Sequence, residues 1–153
     1  MNKLIVVVYE DEKIRNLIRN VLVGRFKDHK IVAFPNNNTA KEFLVKHSLV
    51  GIILEGKEPY RRIPTDDMLI FLRQNASIQN GSFIIVILKS ELLLVEGDRY
   101  DFENYDEIYI PFDPEELLMR VNNHILRIER EFYQREMEEN SKPDLMERGE
   151  GEK

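Results

Sequence analysis

Five short apolar runs, separated by stretches with helical periodicity, restrict the possible folds of this chain more than any other feature. The runs at residues 4–8 and 83–88 are continuous and rich in β-branched side chains. Such runs are typical of strands that are buried on both faces of a parallel sheet. Similar segments predict three more strands, at 30–34, 50–54 and 107–110. The chain therefore offers five strands to a single sheet.

Helical periodicity fills the intervals between the strands. Apolar residues recur at three and four positions from Ile14 to Leu22, which predicts a helix over 12–23 that stops at Gly24. The turn at 35–38 supplies the cap of a second helix, and a last helix opens at Pro114 with acidic residues at its positive end. Two shorter helices are predicted at 68–72 and 92–95.

Strands that alternate with helices predict right-handed crossovers and an α/β fold with a doubly wound, five-stranded parallel sheet. In such sheets the functional crevice lies beyond the carboxyl ends of the strands, where the strand order reverses. The side chains that follow each predicted strand are therefore the candidates for a site.

Composition excludes several classes of protein. A length of 153 residues fits one domain with a short extension. The formal net charge of -6 argues against direct nucleic-acid binding, which needs a basic surface. No apolar run reaches the roughly 20 residues of a membrane span, so we expect a cytoplasmic protein without a membrane contact. The chain has no cysteine for a thiolate metal site, and no Gly-x-Gly-x-x-Gly motif for a dinucleotide or flavin.

Three motifs, in order along the chain, resemble the receiver domain of bacterial response regulators over roughly residues 3 to 127. The first is Val-Val-Tyr-Glu-Asp-Glu-Lys-Ile-Arg at 7–15, the second is Leu-Glu-Gly-Lys-Glu-Pro at 54–59, and the third is Pro-Phe-Asp-Pro-Glu-Glu-Leu-Leu at 111–118. The resemblance implies the flavodoxin-like fold of CheY-like receivers and a role in two-component signal transduction.

The chain departs from this family where the family carries its chemistry. In the family, an aspartate accepts a phosphoryl group, two acidic residues hold magnesium, and a hydroxyl residue, an aromatic residue and a lysine complete the switch. The resemblance places the phosphoryl acceptor at Glu55 and the two magnesium ligands at Tyr9 and Glu10. It places the hydroxyl residue at Leu88, the aromatic residue at Glu107 and the lysine at Ile110. Only Glu10 keeps the residue type of the family. At Glu55 the extra methylene displaces a nucleophile by about 1 Å, which is costly for phosphoryl transfer.

The acidic residues near the first and third strands leave several interpretations open. Glu10, Asp11 and Glu55 could form a residual magnesium site, since hard cations prefer carboxylate oxygens. We favour a solvated acidic rim and expect no cofactor. A third interpretation makes Glu55 a built-in phosphate mimic, but Ile110 cannot pair with its charge.

The last helix carries an apolar stripe that continues about one turn beyond the usual end of a receiver. Its members are Leu118, Val121, Ile125, Ile128 and Phe132. The end of the stripe either pairs with a partner or a second copy, or caps its own domain. We expect a receiver-like domain over 1–127, a helical extension over 128–137 and a disordered acidic tail over 138–153.

These patterns predict an atypical receiver, or pseudo-receiver, that is not an enzyme and regulates signalling through protein contacts, independently of aspartyl phosphorylation. By analogy with the family, the predicted contact face comprises Tyr109, Glu115, Arg120, Ile128 and Phe132. Its partner is another signalling protein or a second copy in a homodimer. One alternative is a divergent phosphoacceptor that uses magnesium and the acidic pocket. Another is a small-molecule sensor or enzyme that uses the same crevice.

Overall fold

The computed structural model of the chain describes residues 1–56, 63–75, 81–89 and 104–141. In these residues the strands are β1 (Leu4–Val8), β2 (Lys30–Phe34), β3 (Gly51–Gly56), β4 (Phe83–Lys89) and β5 (Tyr105–Ile110). The helices are α1 (Glu12–Arg25), α2 (Asn37–Leu44), α3 (Ile63–Gln74) and α4 (Pro114–Ser141). The short helix predicted at 92–95 lies outside the described residues.

The strands form one sheet in the order β2-β1-β3-β4-β5, and each pair of neighbours is parallel. The strand order reverses at β1, which has β2 on one side and β3 on the other. All residues of β1 are buried, as its continuous apolar run predicts. The predicted doubly wound sheet of the flavodoxin-like type, with an extended C-terminal helix, is therefore confirmed.

Two helical layers cover the sheet. Helices α1 and α4 pack on the face that receives Ile5, Val7 and Tyr9, whereas α2 and α3 pack on the face that receives Val6 and Val8. Alternate side chains of one strand thus contribute to two separate cores, because successive side chains of a strand point to opposite faces. Both cores extend to the edge of the sheet where the candidate site lies.

A glycine in β3 accommodates the ring of Phe83 in β4. The ring of Phe83 lies so near Gly51 that a Cβ at this position would overlap it. The same ring stacks on His124 of α4, with the ring centroids 5.3 Å apart. Gly51 therefore makes room for an aromatic side chain that joins the sheet to the last helix.

The ends of three predicted helices were wrong. Helix α3 covers Ile63–Gln74 rather than only 68–72. Helix α1 continues through Gly24 to Arg25, and the N–H of Phe26 donates to the carbonyl of Leu22 at 2.8 Å. A helical glycine costs only about 1 kcal/mol, which the burial of Phe26 offsets. Helix α4 runs to Ser141 rather than ending at 137, since glutamate is a good helix former. No described helix has the length and apolar character that crossing a membrane requires.

Candidate functional site at the carboxyl ends of the strands

Tyr9 stands directly after β1 and belongs to the core. Its N–H donates to the carbonyl of Phe34 at 3.1 Å, and its side chain is 1% exposed. The hydroxyl is buried without a hydrogen-bond partner among the described residues. Burial, followed by the charges of Glu55 and Asp11, raises the pKa of Tyr9 to about 12. At neutral pH the side chain is therefore a neutral phenol and a poor metal ligand.

Asp11 forms the cap of α1. Its Oδ1 accepts a hydrogen bond from the N–H of Ile14 at 3.0 Å, which is the usual role of an aspartate at this position. The carboxylate is thus directed to the start of the helix. This contact gives Asp11 a role in capping the helix and does not support the hypothesis that it is a metal ligand.

Arg15 fixes the same turn from within α1. Its Nη1 donates to the carbonyls of Tyr9 at 2.9 Å and Glu10 at 3.0 Å. Sequence reasoning used Arg15 only to align the family motif and missed this role. A cation in the first turn of a helix, where the helix dipole disfavours positive charge, was the signal that could have revealed it.

A hydrogen bond brings Glu55 and Glu10 together. The Oε1 of Glu55, near the end of β3, accepts a hydrogen bond from the N–H of Glu10 at 2.8 Å. Both residues line a cavity of about 190 Å³ together with Val8 and the turn from Pro35 to Asn38. In that turn Asn36 caps α2, where it accepts from the N–H of Thr39 at 2.9 Å. The turn was predicted as a cap, but its place beside the carboxylates was not.

Leu88 and Ile110 occupy the ends of β4 and β5. Leu88 pairs in register with Gly56 and packs on the core beneath α2 and α3. Ile110 packs on the opposite core, beside Phe112. Neither side chain can donate a hydrogen bond or supply a charge to a phosphoryl group.

Glu107, at the position of the family's switch aromatic, is held within β5. Its Oε2 accepts from the hydroxyl of Tyr105 at 3.3 Å, and its carbonyl accepts from Nη1 of Arg120 at 3.0 Å. Burial and the nearby Glu107 raise the pKa of Tyr105, so this phenol stays protonated.

A polar network, which we call the β5–α4 clasp, joins Asp106 to the last helix. Arg120 donates to Asp106 at 2.6 Å and to Glu116 at 3.0 Å. Nε2 of His124 lies 3.3 Å from the other oxygen of Asp106, and Arg127 donates to Nδ1 of the same ring at 2.6 Å. Because arginine can only donate, Nδ1 must accept and the ring proton must lie on Nε2, facing Asp106. Burial lowers the pKa of His124, which favours this neutral form.

The members of the predicted contact face differ in accessibility. Tyr109 is 38% exposed and Glu115 is exposed, but Arg120 belongs to the clasp. Ile128 packs on the core, and with Phe132 it lines a second cavity, of about 350 Å³, at the opposite edge of the sheet. Both residues face their own domain because the stripe continues the buried face of α4. These contacts favour the interpretation that the end of the stripe caps its own domain, and the pairing with a partner stays a prediction.

The residues at this edge do not fit the magnesium site that the resemblance implies. Asp11 caps a helix, and Tyr9 offers a neutral buried phenol where the family has a carboxylate. Across the described ranges, no group of three or more His, Cys, Asp or Glu side chains could hold a metal ion. The hypothesis of a residual site formed by Glu10, Asp11 and Glu55 gains no support from this geometry.

Comparisons with known proteins identify the fold. No protein-family model and no curated protein matches the sequence. Among solved structures, the chain is similar to the signal receiver domain of a LuxO repressor protein from Vibrio parahaemolyticus, with 19% identity, 87% of this chain and 97% of that chain covered, and a TM-score of 0.69. It is also similar to the chemotaxis response regulator CheY4 of Vibrio cholerae, with 14% identity, 81% and 99% covered, and a TM-score of 0.66.

A third similar structure is a response regulator receiver modulated diguanylate cyclase from Pelobacter carbinolicus. The identity is 18%, the coverage is 86% of this chain and 97% of that chain, and the TM-score is 0.62. At such identities the likeness establishes the fold and leaves the chemistry to the residues themselves. The predicted likeness to receiver domains is thus confirmed at the level of the fold.

Proposed function

We propose that this chain, which has the fold of a receiver domain, is a pseudo-receiver that regulates signalling through protein contacts without phosphorylation of an aspartate. The observation that carries this proposal is the set of residues at the carboxyl ends of the strands, where the family has its phosphorylation site. A glutamate takes the place of the acceptor, a buried phenol that of a metal ligand, and two aliphatic side chains those of the hydroxyl residue and the lysine.

The residues at this edge of the sheet lack the cations and hydrogen-bond donors that phosphoryl transfer requires. That reaction depends on positioned cations and hydrogen-bond donors that offset negative charge on the transferred group. Arg15 directs one guanidinium nitrogen to two main-chain carbonyls, and Ile110 and Leu88 supply neither charge nor donor. Glu55 instead accepts a hydrogen bond from the N–H of Glu10. This bond gives Glu55 a structural role, because it joins the end of β1 to β3.

Intact-mass spectrometry after incubation with acetyl phosphate and magnesium tests the proposal. A typical receiver serves as the positive control in the same buffer. We expect the control to gain one phosphoryl mass and this chain to gain none. A magnesium-dependent adduct that Glu55→Gln abolishes, and that Glu42→Gln on the exposed side of α2 leaves intact, would overturn the proposal.

A divergent phosphoacceptor is the second candidate, favoured by one observation. The hydrogen bond from Glu10 holds the carboxylate of Glu55 at the crevice. A magnesium-dependent adduct in the mass experiment that Glu55→Gln abolishes would support this candidate. A ligand that copurifies and occupies the cavity beside Glu55 would instead favour a small-molecule sensor.

The proposal implies a protein partner in the cytoplasm, as expected for a signalling module of this fold. Tyr109 and Glu115 are the accessible members of the predicted contact face. Within the proposal these two residues form its centre. Arg120 then acts indirectly, because it holds β5 against α4 through Asp106.

A further inference from the structure

The outer face of α4 carries apolar side chains that the domain leaves exposed. Met119, Leu126, Tyr133 and Met137 are 59, 48, 59 and 72% exposed. The first three follow one another at intervals of seven residues, and Met137 comes four residues later. We call these four residues the outer stripe. They lie on the side of the helix opposite the buried residues Val121 and Ile125.

The outer stripe belongs to a heptad pattern. Successive positions spaced by four and three residues, from 119 to 140, are all exposed, which is the spacing of a coiled-coil seam. Met119, Leu126, Tyr133 and Asn140 take the d positions, and Asn123, Arg130 and Met137 take the a positions. A single asparagine at an a position is a known device for fixing a parallel dimer in one register, at some cost in stability.

The charges that flank the seam differ between its two sides. The g side carries Glu115, Glu129 and Glu136, and the e side carries Arg120 and Arg127. In a parallel pair a g residue faces the e residue five positions later on the other helix, so Glu115 faces Arg120, whereas Asn122 faces Arg127 and Glu129 faces Gln134. An antiparallel pair sets like sides together, which brings the arginines of the two helices side by side. Arg120 and Arg127 also contact their own domain. Their charge therefore affects the orientation of a pair more than its affinity.

We infer that the outer stripe is covered by a second copy of this chain, in a parallel, in-register, two-stranded coiled coil over residues 119–140. The buried face of α4 stays on its own domain, so the two domains lie on opposite sides of the seam. The inference goes beyond the proposed function, because a protein-binding module does not need to be a dimer.

Cysteine cross-linking tests the orientation directly, because the chain has no cysteine of its own. Met119→Cys and Tyr133→Cys are prepared as separate full-length variants, and these positions lie roughly 21 Å apart along the helix. A parallel pair in register lets each variant form a disulfide with its own copy under mild oxidation. Ile70→Cys on α3, at a side chain 53% exposed, is the control and should link no faster than random collision.

Two cross-linking results would overturn the inference. An antiparallel pair centred on Leu126 would link Met119→Cys to Tyr133→Cys in a mixture, but neither variant to itself. A chain without this interface would link none of the variants above the rate of the Ile70→Cys control.

Sedimentation equilibrium of the unmodified chain gives an independent readout. We expect a monomer–dimer equilibrium that Leu126→Glu weakens by about tenfold or more, since a charge replaces an apolar side chain in the seam. The matched control is Leu17→Glu on α1, where the side chain is 47% exposed, and it should leave the equilibrium unchanged. Circular dichroism confirms that both variants fold. A monomer at every concentration, or equal weakening by both substitutions, would overturn the inference.

Discussion

Two glycines show how much the surroundings of one residue decide the effect of a methyl group. At Gly51 an added Cβ would overlap the ring of Phe83, but at Gly24 it would meet nothing within 4 Å. We expect Gly51→Ala to lower the free energy of unfolding by about 1–3 kcal/mol, the usual cost of overpacking. Gly24→Ala should raise it by up to about 1 kcal/mol, because alanine favours a helix. Urea denaturation of both variants checks the prediction, and equal effects would contradict the contact between Gly51 and the ring of Phe83.

His124 makes the stability of the chain depend on pH. Burial lowers its pKa from the ordinary value of 6.5, Arg127 and Arg120 act in the same direction, and Asp106 opposes them. The unfolded chain therefore takes up a proton before the folded chain as the pH falls. The stability that neutral His124 provides is present above pH 6.5 and is lost as the pH falls from there toward the lower folded pKa.

Replacing His124 isolates this contribution. We expect His124→Gln to flatten the dependence of unfolding free energy on pH just below neutrality, measured by urea denaturation at several pH values. Burial and the charge of Lys3 also lower the pKa of His29. The part of the pH dependence of stability that His29 contributes should therefore persist in the variant. If the unfolding free energy of the variant falls with pH as steeply as that of the unmodified chain, the pH dependence comes from groups other than His124.

Single residues also mark the limit of reading the site from sequence. The resemblance aligned Tyr9, Glu55 and Ile110 correctly with the ends of their strands, because each follows or closes a strongly apolar run. It could not give the direction of a side chain. The burial of Tyr9 follows from the alternation of β1, and the bonds of Arg15 follow from the path of the turn.

At the scale of elements, the start of α1 decides between a cap and a metal ligand for Asp11. The cap predicts that Asp11→Ala lowers the unfolding free energy by about 1 kcal/mol, whereas Asp11→Asn changes it by only a few tenths, because asparagine caps equally well. Neither effect should depend on magnesium. Urea denaturation with and without magnesium chloride, at matched ionic strength, measures both. A magnesium-dependent stabilisation of the unmodified chain that Asp11→Asn removes would instead identify a bound cation.

Helix α4 shows why one face of an element is easier to predict than the other. Its buried stripe has the spacing of three and four residues that burial against a sheet requires, and it was found in the sequence. The outer stripe was missed because polar residues occupy most of the intervening a positions, so only the interval of seven marks it. The length of α4 was underestimated for a related reason: a glutamate-rich segment has no apolar pattern, although its residues favour a helix.

For the molecule as a whole, the strands buried at the centre of the sheet were predictable, whereas the start of β5 at its edge was not. Strands buried on both faces have no polar positions, so β1 and β4 were predicted to within one residue of their observed ends. The start of β5 was missed because Tyr105 and Asp106 are not an apolar pair. They extend the strand by pairing in register with Ile84 and Ile85, an interaction that depends on the neighbouring strand.

The boundary of the folding unit follows from the contacts of the last helix. The sequence predicted a domain that ends at residue 127, but Ile128 packs on the core, and Phe132 lines with it a cavity whose wall also includes Leu49 and Val50. We therefore propose that the folding unit includes these two side chains. A chain ending at Arg127 should be less stable than one ending at Gln134 by about 1–3 kcal/mol, the scale of one to two partly buried apolar side chains. Thermal and urea unfolding of the two truncated chains measure the difference. Equal stabilities would show that the folding unit ends at residue 127 and that the rest of α4 does not stabilise the domain.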